Sequence, residues 1–109
     1  MEGTKLGALM DLAADAQRLI QQDYEQINPI VGAHTRLREQ GIPADAMTID
    51  CPQSGKRIVV MILDANPEQI VCTFGFKDKD ADESTLKIAF SDIKMGTIYQ
   101  WIESHFSSN

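Results

Sequence analysis

The sequence predicts an α+β domain: two N-terminal helices, a four-stranded antiparallel meander, and a C-terminal helix packed on one face of the sheet. Three observations carry this. Apolar residues recur every three or four positions over residues 4–27 and again after residue 91. Between those stretches the period falls to two, in segments separated by short turns. Strands joined by short turns cannot lie parallel, because parallel neighbours need a crossover of a dozen or more residues.

The first helix is expected over residues 4–27, with Leu6, Leu9, Met10, Ala13, Ala16, Ile20, Tyr24 and Ile27 on one face. Leu12 and Leu19, seven apart, add a second apolar ridge beside it. The combined surface is wider than one small sheet covers, so the surplus must meet another helix, another subunit or a different partner. Leu12, Leu19, Leu9 and Ala16 are therefore the candidate interface residues. Asn28-Pro29 reads as a cap followed by proline in the first turn, which predicts a second helix over residues 29–40, stopped by Gly41 and Pro43.

The strands come next. Met47, Ile49 and Cys51 alternate with Thr48 and Asp50, "PQSG" turns the chain, and "RIVVMIL" is an almost continuous apolar run expected to be covered on both faces. "EQIVCTFGF" and "TLKIAF" alternate again, with the charged connection "KDKDADES" between them. Ser91 and Asp92 open the last helix, whose apolar face gathers Met95, Ile98, Tyr99, Trp101, Ile102, His105 and Phe106.

Composition narrows the function classes. With 109 residues, 43% apolar and 24% charged, the chain is expected to form a single domain over residues 1–109. Its net charge of −6 repels phosphate backbones and anionic lipids, so the expected partner is a protein or a second copy, not nucleic acid or membrane. The N-terminal segment is amphipathic and lacks the form of a signal peptide, which makes the expected location cytoplasmic and the two cysteines reduced.

One motif carries chemistry. Cys51 and Arg57 are separated by five residues, and over these seven residues the chain resembles the phosphate-binding loop of the cysteine-dependent phosphatases. That resemblance implies a thiolate nucleophile with an arginine clamping the phosphoryl oxygens. The setting argues otherwise. In those enzymes the loop leads from a strand into a helix whose N-terminus lowers the thiol pKa. Here Arg57 leads into "IVVMIL", a strand sequence, so "PQSG" predicts a hairpin. Lys56 and Arg57 beside Cys51 leave a redox-sensitive thiol as a further option.

The other motifs are incomplete. "SGKR" lacks the first glycine and the final hydroxyl residue of a P-loop, and no cofactor is expected. Asp78, Asp80 and Asp82 stand at the alternate positions of a calcium loop, but Glu83 and Ala89 occupy the places of its glycine and its bidentate glutamate. They are weak cation candidates, and no metal site is expected. His34 and His105 have no zinc-ligand spacing.

The reading is a small acidic, non-enzymatic protein–protein interaction module, an adaptor, inhibitor or chaperone-like protein, with homodimerisation through residues 4–27 as one route. The alternative is a cysteine-dependent enzyme or redox-sensitive thiol protein using Cys51 with Arg57 as anion clamp.

Overall fold

The computed structural model describes residues 5–24, 27–34, 36–76 and 85–106. They form α1 (Lys5–Asp23), β1 (Ile30–His34), α2 (Arg36–Glu39), β2 (Ala44–Cys51), β3 (Lys56–Leu63), β4 (Gln69–Phe76), β5 (Thr85–Ala89), a 3-10 turn (Phe90–Asp92) and α3 (Met95–Phe106). All five strands belong to one sheet in chain order, each antiparallel to the next. No helix among the described residues is long and apolar enough to cross a membrane.

The α+β class and the antiparallel meander are as expected. The second helix is not. Residues 30–34 form a fifth strand, paired residue for residue with Asp50 to Ala46 of β2, and helix is confined to the four residues of α2. The cap-and-proline signal at Asn28-Pro29 is outweighed by the three residues after it. Ile30 and Val31 are β-branched and Gly32 weakens a helix interior, whereas all three fit a strand with a ready partner. Gly41 still ends the short helix as predicted: its φ is +83°, and the Ile42 amide donates back to the Leu37 carbonyl at 2.8 Å. The first helix also stops four residues early, at Asp23. There Gln21 donates to Asn28 (2.6 Å) and Gln17 to the Pro29 carbonyl (2.5 Å), turning the chain into β1.

One face of the sheet carries the core. Met47, Ile49, Ile58, Val60, Ile70 and Cys72 point to the helices and are fully buried against Leu9, Ala13, Ile20, Ile98 and Ile102. Each such aliphatic side chain contributes about 1.5–3 kcal/mol on leaving water. The helix α1 lies against β1 and β2, and α3 lies beside it against β3. The other face has only a small cover. Leu37 of α2 packs on Ala44 and Ala46, with Met61 and Leu63 alongside. The expectation that β3 is buried on both faces is met only at that corner, because α2 is too short to reach further.

The second ridge of α1 has neighbours of its own at both ends. Lys5, Leu12, Leu19 and Asp23 lie along it, seven and four apart. Lys5 bonds Glu68 at 2.9 Å and sits over the Phe90 ring, while Asp23 accepts a hydrogen bond from the Tyr99 hydroxyl of α3. The ridge therefore meets the β3–β4 connection and the 3-10 turn at its start and α3 at its end; Leu12 and Leu19 between them are half-buried, with Leu12 packed against the core. Leu9 and Ala16 are fully buried in the chain's own core.

Candidate functional site

The hairpin between β2 and β3 holds every residue of the phosphatase-like spacing. Its turn occupies residues 52–55. The Gly55 amide donates to the Cys51 carbonyl at 2.9 Å, and Gly55 has φ +75°, a conformation costly for residues with a Cβ. Cys51 then pairs with Lys56, and Asp50 with Arg57. Because side chains alternate along a strand, this register sends Cys51 and Arg57 to opposite faces of the sheet.

The contacts agree. Cys51 is buried on the helix side, and its thiol donates to Gln53 Oε1 at 3.6 Å. Arg57 lies on the open side, where Nε and Nη2 donate to the two carboxylate oxygens of Asp50 at 2.5 and 3.0 Å. A guanidinium on the far side of the sheet cannot hold an anion in front of the thiol. The nearest helix end also has the wrong sign. Lys56 Nζ donates to the His105 carbonyl at 2.9 Å, so the helix end that meets the hairpin is the C-terminal end of α3, which offers carbonyls and not the amides that hold an anion.

The remaining candidates serve the fold. His105 Nε2 donates to the Gly75 carbonyl at 3.0 Å, and its ring packs edge-on to Phe74. Trp101 is buried, also edge-on to Phe74. Tyr24 donates to Glu103 at 2.6 Å and Tyr99 to Asp23, so α1 and α3 are tied by two phenol–carboxylate bonds. These bonds hold the phenol protons: Tyr24 is raised above its usual range and Tyr99 is pushed up to about 12. Burial pushes the Cys72 thiol up to about 12 as well. Cys51 and Cys72 are free thiols with β3 between their strands. Asp78, Asp80 and Asp82 lie outside the described residues. Among the described residues no cluster of three His, Cys, Asp or Glu could hold a metal ion.

What sequence reasoning missed lies on the open face. Leu37, Ala46, Thr48, Arg57, Val59 and Met61 line a groove of about 200 Å³ whose walls are mainly apolar. Beside it runs β1, the edge strand of the sheet with no further strand paired to it among the described residues, whose Ile30 is 52% exposed, the highest value among the large apolar side chains described. The available signal was "RIVVMIL" itself: a strand apolar on both faces needs two covering layers, and the chain has helices for one.

No protein-family model, no curated protein and no solved structure matches the chain.

Proposed function

We propose that this chain is a non-enzymatic protein–protein interaction module. The observation that carries this reading is the half-covered sheet: one face buried under α1 and α3, the other leaving Val59, Met61 and Val71 half-buried, with only the short α2 packed at one corner. Apolar surface left open beside a bare sheet edge is stabilised by a partner. The net charge of −6 discourages nucleic acid and anionic lipid in that role, which leaves protein. The separation of Cys51 from Arg57 supports the same reading, since it removes the one constellation that resembled an active site.

Affinity capture from native lysate tests it, comparing the wild type with a Gly32→Lys/Val59→Glu variant and with Cys51→Ser. A protein partner retained by Cys51→Ser and lost in the surface variant, with the helical circular dichroism of both unchanged, is the expected result. Capture that depends on Cys51 and ignores both surface substitutions contradicts it.

A further inference from the structure

We infer that the partner across the β1 edge is a second copy of this chain, joined by antiparallel pairing of β1 with β1 into a continuous ten-stranded sheet. This rests on the interaction-module reading above and names its partner.

The two edges of the sheet differ. The β5 edge carries the exposed Lys87, the kind of charge that discourages strand pairing. The β1 edge, "IVGAH", has no lysine, arginine, acid or proline. It has no bulge either, since its five residues pair in unbroken register with β2. An unblocked, regular edge is a template for another strand.

The uncharged surface continues onto the helix above it. Gln17 and Gln21 bond the segment entering β1, which fixes the flank of α1 that overlooks this edge. Met10 and Ala14 share that flank at helical spacing. The five charged residues of α1 do not: Asp11, Asp15 and Arg18 lie on its solvent side, and Lys5 and Asp23 on the opposite flank, where they bond Glu68 and Tyr99. Two chains of net charge −6 repel one another and approach most cheaply where neither presents charge.

The strand is also complementary to itself. A twofold axis centred on Gly32 is the register in which all five residues pair. It sets Val31 of one copy opposite Ala33 of the other, large against small on the helix side. Gly32 then faces Gly32, where the two copies approach without side chains. A five-residue strand is only about 17 Å long, so the α1 flanks must supply the rest of the contact. Both α1 helices lie on the same side of the joined sheet, one on each side of the axis.

Sedimentation velocity over about 1–500 µM tests this on wild type, Gly32→Lys, Gly32→Val and Leu19→Asp. A Cβ at Gly32 meets nothing closer than Thr48 Oγ1 at 3.9 Å, so the fold accepts either substitution. The expected result is a wild-type dimer, a dissociation constant raised at least tenfold in Gly32→Lys, where two ammonium groups oppose each other, and no weakening in Gly32→Val or Leu19→Asp. Should circular dichroism show Gly32→Lys unfolded, Ala33→Lys at the exposed neighbouring position gives the same readout. A monomer throughout overturns the second-copy inference while leaving the interaction-module reading to the capture experiment. A dimer indifferent to the lysine, or lost in Leu19→Asp, overturns it too.

Discussion

Cys51 and Arg57 lie on opposite faces of one β-hairpin, and the arginine is paired with Asp50, the neighbour of that cysteine in the chain. The spacing that suggested a catalytic loop is a consequence of a four-residue turn between two strands. The Asp50–Arg57 pair is a structural one, with about a quarter of its side-chain surface still exposed. Removing the guanidinium by Arg57→Ala should cost about 1–2 kcal/mol in urea denaturation, with a coupling to Asp50→Asn of about 1 kcal/mol in the double-mutant cycle. Millimolar phosphate should leave the alkylation rate of Cys51 unchanged. Protection of Cys51 by phosphate, lost in Arg57→Ala, would show an anion site after all.

Gly55 tests the turn. Its positive φ means that Gly55→Ala should destabilise the chain by about 1–2 kcal/mol, measured as a lower urea midpoint at unchanged slope. No loss would indicate a different turn and reopen the register of Cys51 with Lys56.

Much of this architecture is legible in the chain itself. The strands about Ile49, Val60, Cys72 and Ile88 come from alternation, and the hairpin from the strand sequence after Arg57. The first strand was not legible. Asn28-Pro29 is a good local helix start, and only the pairing of Ile30–His34 with β2, a contact about sixteen residues distant in sequence, decides for strand. The wide apolar face of the first helix asks for a second neighbour, but periodicity cannot name that neighbour. The contacts name neighbours at its two ends: Lys5 meets Phe90 of the 3-10 turn, and Asp23 meets Tyr99 of the C-terminal helix. The open face escaped because a continuous apolar run looks the same whether two layers or one cover it.

Within α1, burial separates residues that the sequence grouped together. Leu9 is fully enclosed, so Leu9→Ala should cost about 2–4 kcal/mol, whereas Leu19→Ala, at a half-buried position, should cost about 1 kcal/mol. Thermal or urea unfolding of the two variants measures the difference. Equal costs would mean that the ridge is packed more deeply than its exposure indicates.

Stability should fall at alkaline pH. Tyr99 and Cys72 both have folded-state values near 12, above the usual values of 10 and 9. The folded chain therefore holds these protons over a range where the unfolded chain releases them. Their contribution is fully present below pH 9, declines from about pH 9 as the unfolded thiol ionises and from about pH 10 as the unfolded phenol does, and is lost as pH passes 12. Urea midpoints between pH 8 and 11.5 should fall, less steeply above pH 10 in Tyr99→Phe and less steeply from pH 9 in Cys72→Val. A profile identical in all three proteins would contradict the assigned environments of both groups.

The most direct measurement is an isotope-filtered NOE experiment on a mixture of carbon-13-labelled and unlabelled chains, which records contacts between copies and suppresses those within one. Cross-peaks between the methyl groups of Val31 and Ala33 are the predicted result, because a twofold axis at Gly32 sets those residues opposite one another. A mixture that yields no intermolecular peaks at concentrations where wild type sediments as a dimer, or peaks confined to Leu12 and Leu19, would contradict assembly through the β1 edge.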